Sequence, residues 1–428
     1  MKKYIDKNEL DTRIELNFSH LENDSYYSIE EIFSPYEYQW YGDKEGRALL
    51  AFMSHCKISG RKIPCMEKML SLMPQRVNAG GYFGPLYNGI IHEEQLSGHS
   101  WLLRGLAEHY EAFADSFYLE EIKKITENLY LPLRGKINTY PVNRSKENSG
   151  GVSGEMTENE SGWLLSSDIG CAFMSIDGLS HVYSITSDVR IKELLDEMTE
   201  FYLSIDKISL KAQTHCTLTS ARGMLRMYNK TGEVKYLDGA KMIFDLYINH
   251  GGMTKTWQNL NWWGREDSWT EPCAIVDSLM VSCELYKITG DENFRAAASR
   301  IYHNGLSTSQ RDNGGAGTDT LICEGSPHDS LRPLMYEAFF CCSMRLAEGL
   351  WYINENKDLL YAEVTGRLTK DSDGIFRDND LIYCLPDEAL LPYAEKGISA
   401  DNKYLYPIVK LYKVPKDILM NSAQKIVF

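Results

Sequence analysis

Four side chains in this 428-residue sequence are of types suited to metal chemistry. Glu271 and Cys273 stand in the run Trp269-Thr-Glu-Pro-Cys, and Cys341 and Cys342 form a vicinal pair. Zinc, a borderline-soft ion, takes thiolate sulfur readily and completes its shell with a carboxylate oxygen or an imidazole. The spacing is not that of a zinc finger, whose Cys-x2–4-Cys pairs close a short loop. About 70 residues separate the two halves, so only the tertiary fold can join them, as is usual for a site in a cleft. Packing explains the vicinal pair poorly, because neighbours on one helix face different directions and a core accommodates one of them more easily than both. The chain has ten cysteines, of which Cys216 and Cys283 read as reduced core residues.

The elements that must position these ligands are helical. A hydrophobic content of 43% over this length supports a large core, with no need of disulfide staples. Helical spacing begins near Asp43, and residues 1 to about 40 read as an aromatic, loosely structured lead-in. One phrase then recurs four times, at Tyr110 to Asp115, Tyr183 to Asp188, Tyr228 to Glu233 and Tyr286 to Asp291. In each, a helix ends after an aromatic, a short turn follows, and an acid stands where the next helix would begin. Glycine in such a turn suits the left-handed residue that closes a helix, and Asp suits the cap that opens the next. The phrases mark helical hairpins, spaced 73, 45 and 58 residues apart. Such a set is most naturally buried in a closed double ring, an (α/α)6 toroid; an open solenoid would repeat more evenly. Expected boundaries are a helical domain over 1–355 and a short β-containing or irregular segment over 356–428. The long inserts His250 to Trp269 and Leu306 to Met335 are candidate cleft walls.

A net charge of −15 argues against nucleic acid and anionic membrane surfaces as partners. No stretch reaches the length of a membrane span and no apolar segment follows the basic start, so the expected location is cytoplasmic. Four of the eight tryptophans, Trp257, Trp262, Trp263 and Trp269, fall in one insert rich in planar amides. Aromatic faces and amides are what sugar rings stack on and bond to, which points to a carbohydrate ligand; core packing is the competing explanation.

Taken together, Glu271-Pro-Cys273 with Cys341-Cys342, the segment His92-Glu93 to Gly98-His99, and His215 ahead of Arg222 resemble the zinc-thiolate glycosidases typified by bacterial β-L-arabinofuranosidases, glycoside hydrolase family 127. The similarity covers roughly residues 80–355. It implies an (α/α)6 barrel and a zinc ion held by Glu271, Cys273, Cys341 and Cys342. It further implies Cys341 as the nucleophile of a retaining glycosidase, and His92 and His215 as sugar contacts. His92, His99 and His215 are expected to project into one cleft. The sequence departs from the family at the acid/base, a glutamate some 16 residues before the ligand glutamate, where Lys255 stands with Trp257, Gln258 and Asn259 nearby. The substitutes are Glu266 and Asp267, with Glu324 a third candidate. Three readings compete: a glycosidase acting on a small glycoside or oligosaccharide, a non-catalytic sugar-binding or structural zinc protein on the same fold, and a carboxylate-based enzyme with incidental cysteines.

Overall fold

A computed structural model describes residues 1–34, 40–143, 156–265, 268–319, 333–339, 341–366, 369–370 and 376–383. The chain divides into two compact units. The first comprises Met1–Leu21, Tyr247–Asn261 and Arg265–Phe428; the second comprises Glu22–Leu246 and Trp262–Gly264. The principal helices in chain order are α1 (Lys7–Asn23), α2 (Asp43–Ser59), α3 (Pro64–Leu72), α4 (Glu93–Phe113), α5 (Ser116–Ile125), α6 (Ser175–Thr186), α7 (Val189–Ser204), α8 (Thr214–Thr231), α9 (Val234–Asn249), α10 (Pro272–Thr289), α11 (Glu292–Arg300) and α12 (Cys342–Asn356).

All four recurring phrases are hairpin turns. The residue after each first helix is left-handed: Ala114 (φ 53°), Ser187 (φ 53°), Gly232 (φ 72°) and Gly290 (φ 71°). Its N–H donates to the carbonyl of the recurring tyrosine, Tyr110, Tyr183, Tyr228 or Tyr286, at 2.7–2.8 Å. Asp115, Asp188 and Asp291 then cap α5, α7 and α11 by accepting from the backbone N–H groups of Phe117, Arg190 and Asn293. The tyrosine thus recurs where the last helical turn needs a cap acceptor, and the acid recurs where the next helix has orphan donors.

In the second unit α2, α4, α6 and α8 form an inner layer. Nearly every residue of α4 from Glu93 to His109 is buried, whereas α7 buries one face through Ile191, Leu194, Leu195, Met198 and Tyr202. The inner helices meet at backbone distance. A Cβ on Gly46 of α2 would lie 2.2 Å from Leu102 N of α4, and one on Gly223 of α8 would lie 2.5 Å from the Ile176 carbonyl carbon of α6. Charge is buried between these inner helices as well. Asp177 is met by Arg104 at 3.1 Å, by Arg226 at 2.5 Å and by Arg222 at 3.7 Å. Glu108 is met by Lys57 and by Arg104. Burial opposes the ionisation of both acids, but these cations hold both carboxyls well below the usual carboxylate range.

In the first unit α10 packs on α11 and α12, with Gly349 of α12 set against Val276 of α10. Lys2–Lys3 pairs antiparallel with Ala362–Glu363, and Thr369–Lys370, Phe376–Asp378 and Leu381–Tyr383 form a small antiparallel sheet. The N-terminal segment corrects the sequence expectation, since α1 is a 17-residue helix. Its buried face runs Leu10, Arg13, Ile14, Asn17, Phe18, Leu21, which is helical spacing disguised by two polar members. Asn17 donates to the Gly314 and Ser343 carbonyls, and Arg13 bonds Gln310 and the Ser307 carbonyl, so each polar member is a crosslink.

Candidate functional site

The four residues singled out by type converge within the first unit. Glu271, Cys273, Cys341 and Cys342 place one ligand atom each within 4.8 Å of all the others. Cys342 Sγ lies 3.6 Å from Cys273 Sγ and 3.5 Å from Cys341 Sγ. Zn–S bonds of about 2.3 Å in a tetrahedron would set sulfurs about 3.8 Å apart, so the donor set and its spacing fit a four-coordinate zinc.

Helix ends create this convergence. Glu271 is the N-cap of α10, Pro272 its first residue and Cys273 its second; Cys341 is the N-cap of α12 and Cys342 its first residue. Proline is preorganised for the first helical position, which fixes where α10 begins. Two helix N-termini therefore face one point, and their partial positive charge favours thiolate and carboxylate there. Burial, reinforced by the Cys341 sulfur, pushes the Cys273 and Cys342 thiols well up, so a bound cation is what would ionise them. Cys273 and Cys342 are 0% and 1% exposed and Glu271 8%, whereas Cys341 is only partly buried.

Each approach to the site is clamped. The Glu271 N–H donates to Asn259 Oδ1 at 2.7 Å, and the Asn261 N–H donates to the Trp269 carbonyl at 2.9 Å. Thr270 and Asp319 exchange two bonds, 3.0 Å to the Asp319 carbonyl and 2.9 Å to the Thr270 hydroxyl. On the other side Glu337 accepts from Ser343 Oγ at 2.7 Å and Asn313 at 2.8 Å and contacts His20 at 2.8 Å, holding the Cys341–Cys342 turn to α1. One turn inside the ligands, Arg345 of α12 lies between Asp277 of α10 and Glu348, all three buried, and this ion network ties the two helices together.

The remaining sequence candidates divide. Glu266, Asp267 and Glu324 lie outside the described residues. Trp262 and Trp263 are 0% exposed, correcting their expected role as sugar-stacking faces. Their backbones are fixed beside α8, where the Trp263 backbone N–H donates to the Ala212 carbonyl at 3.1 Å and Trp262 forms a backbone β-bridge with Gln213, and both rings are packed inward. Trp257, in the first unit, is half-buried with the Arg300 guanidinium 5.2 Å from its ring centroid.

In the second unit His99 is a core residue, contrary to expectation. Its Nδ1 meets the Gln95 carbonyl at 2.8 Å and its Nε2 accepts the Phe83 N–H at 3.0 Å. His215 stacks on Trp101 at 5.7 Å, and Arg47 covers the same indole at 4.3 Å, so the imidazole orientation is set by a layered stack. His92 is the N-cap of α4 rather than a member of a helix face.

Behind His92 stand two acids. Glu93 accepts from Tyr140 Oη at 2.7 Å and from the Ser166 and Gly170 N–H groups, each at 3.0 Å. Glu94 accepts the Ser166 hydroxyl at 2.7 Å, and burial pushes its carboxyl up to about 9, with Asp168, Glu93 and Asp43 adding repulsion. Sequence reasoning passed over Glu94 because two acids in the first turn of a helix read as complements to its dipole.

No protein-family model and no curated protein matches the chain. Solved structures do. A GH127 β-arabinofuranosidase aligns with TM-score 0.53 at 14% identity, covering 82% of this chain, which spans 60% of that structure's length. The GH127 β-L-arabinofuranosidase from Geobacillus stearothermophilus T6 aligns with TM-score 0.51 at 12% identity, covering 88% of this chain and 69% of that one. A cellobiose 2-epimerase from Bacillus thermoamylovorans aligns with TM-score 0.51 at 14% identity, covering 82% of this chain and 98% of its own. The protein is mainly α, with the (α/α)6 fold of the six-hairpin glycosidases, resembling GH127 β-arabinofuranosidases in structure and sharing its architecture with sugar epimerases.

Proposed function

We propose that the protein is a retaining glycoside hydrolase acting on a small glycoside or oligosaccharide of the β-L-arabinofuranoside kind, with Cys341 as nucleophile. The observation that carries this reading is the convergence of Glu271, Cys273, Cys341 and Cys342 at two helix heads, with Cys341 the most accessible of the four. Bound zinc would hold the thiols as thiolates at neutral pH. Cys341 Sγ forms a bond to the anomeric carbon while the glycosidic C–O bond breaks and the leaving oxygen takes a proton from an acid. Water, deprotonated by the same group, then displaces the sulfur. Glu266 and Asp267 remain the proposed acids, His92 and His215 the proposed sugar contacts, and Trp257 the remaining tryptophan candidate. Glu271, Cys273 and Cys342 would hold the metal and so orient Cys341.

The test joins metal analysis with activity. About one zinc per chain and release of nitrophenol from nitrophenyl arabinofuranosides support the reading. Mass spectrometry during turnover of a slow substrate should find the sugar attached to Cys341. The second reading, a non-catalytic sugar-binding or structural zinc protein, draws on the burial of three of the four ligands, since closed four-ligand zinc sites are ordinarily structural. Zinc-loaded protein that cleaves no glycoside would favour it.

A further inference from the structure

Glu94 in the second unit differs from its neighbour Glu93 in a way that points outward from the protein. Both are fully buried, but Glu93 is bonded by protein donors at both oxygens. In Glu94 only Oε1 is served, by Ser166 Oγ at 2.7 Å. Ser166 Oγ itself accepts the Asp168 N–H at 3.1 Å while donating its hydroxyl proton to Glu94. Among the described residues Oε2 is buried with no hydrogen-bond partner, and His92 Nδ1, two residues earlier at the head of α4, is buried without one too.

The charged groups facing Glu94 are Asp168 from the loop after Trp163–Ser166, Glu93 on its own helix, and Asp43 of α2, which is paired with Arg47 at 2.8 Å. A carboxylate among three others and out of water favours its neutral form, and the upward shift to about 9 agrees. With Oε1 accepting, the proton resides on Oε2 and is a donor. A buried donor and a buried imidazole nitrogen without partners are what a polar ligand satisfies, and an apolar side chain would fill the position with neither.

We infer that Glu94 is a ligand-contacting hydrogen-bond donor, its Oε2 proton serving one hydroxyl oxygen of a sugar at the head of α4 while His92 Nδ1 meets an adjacent hydroxyl. The assignment rests on the carbohydrate reading above and adds to it a specificity-determining acid. Donation fails when the group ionises, so sugar binding weakens as pH rises through about 9.

The experiment uses the full chain and the variants Glu94→Gln and Glu94→Leu. The infrared difference spectrum of wild type minus the Glu94→Gln variant at pH 7 should contain the carbonyl band of a protonated carboxyl, and its absence overturns the proposal. Calorimetry with methyl β-L-arabinofuranoside and with cellobiose follows at pH 7 and pH 10. At least one sugar should bind wild type at pH 7 and lose about tenfold in affinity at pH 10. The Glu94→Gln variant, which keeps a donor, should bind at both pH values. The Glu94→Leu variant, with unchanged circular dichroism, should lose about tenfold at pH 7. Wild-type affinity in the Glu94→Leu variant, or the same loss at high pH in the Glu94→Gln variant, overturns the assignment. Binding without hydrolysis leaves it standing and removes only the hydrolase reading; failure of wild type to bind either sugar overturns both.

Discussion

Replacing Arg345 by methionine should expose how much the candidate metal centre depends on the ion network beneath it. The guanidinium is the shared cation of Asp277 and Glu348, all within 1% of complete burial, and methionine fills similar volume without charge. Breaking a buried pair from one side costs about 3–5 kcal/mol, because a carboxylate is left uncompensated out of water. Protonation caps that cost. A carboxyl that ionises near pH 4 when unfolded but stays neutral when folded loses about 4 kcal/mol of stability at pH 7 and only about 1.4 kcal/mol at pH 5. In the variant the folded pKa would be raised above the unfolded one, so the penalty is absent below about pH 4 and grows as pH rises. Urea unfolding of wild type and variant at pH 5 and 7 should therefore give a difference that shrinks by about 2–3 kcal/mol per carboxyl at the lower pH. Zinc should also be lost to a chelator faster in the variant, since the heads of α10 and α12 carry the ligands. A difference below about 1 kcal/mol, or one independent of pH, would refute the reasoning.

Cys341→Ala should abolish turnover, whereas Cys342→Ala and Glu271→Ala should chiefly lower zinc content, compared by steady-state rates and metal analysis. Whichever of Glu266→Gln and Asp267→Asn removes the acid should retain activity on glycosides with acidic leaving groups while losing it on alkyl glycosides. Ala114→Gly and Ser187→Gly, at left-handed positions, should raise stability by about 0.5–1 kcal/mol, and Gly290→Ala should lower it by about 1 kcal/mol in thermal or urea unfolding. Burial holds His55, His99 and His303 at about 4, so each stays neutral in the fold while the unfolded chain takes up a proton below about pH 6.5. Stability should consequently fall from pH 6.5 toward 4 by roughly 1 kcal/mol per pH unit per histidine, and a flat profile over that range would contradict those environments.

The hairpins were legible because their punctuation is local: Tyr228 to Glu233 contains the cap acceptor, the left-handed glycine and the acid at the start of the next helix. The cluster of Glu271, Cys273, Cys341 and Cys342, a group that could hold a metal, was legible because donor type is written in the residue itself. What stayed hidden depends on partners distant in sequence. His99 had the spacing of a site residue, yet its Nε2 is taken by the backbone of Phe83, which no periodicity reveals. Trp262 and Trp263 had the composition of a sugar platform and are packed away. The helix α1 was obscured because Arg13 and Asn17 sit on its buried face, and the bonds that justify them reach residues about 300 positions away, as from Arg13 to Gln310 (297 positions). Arg222 entered only through the resemblance, and the pairing of Asp177 with Arg104, Arg222 and Arg226 gave no signal, since those charges come from three separate helices.

The glycine contacts of the inner layer carry a consequence for how the second unit can change. With Gly46 meeting Leu102 and Gly223 meeting Ile176 backbone to backbone, those helices are already as near as chains can come, and any larger residue must push them apart. Drift or directed evolution therefore cannot tune this layer by graded side-chain swaps at those seams, where the smallest step is a wedge of a whole methyl group. Adaptation to a new ligand would instead concentrate at helix heads and connecting segments, which is where His92, Glu94 and His215 already stand.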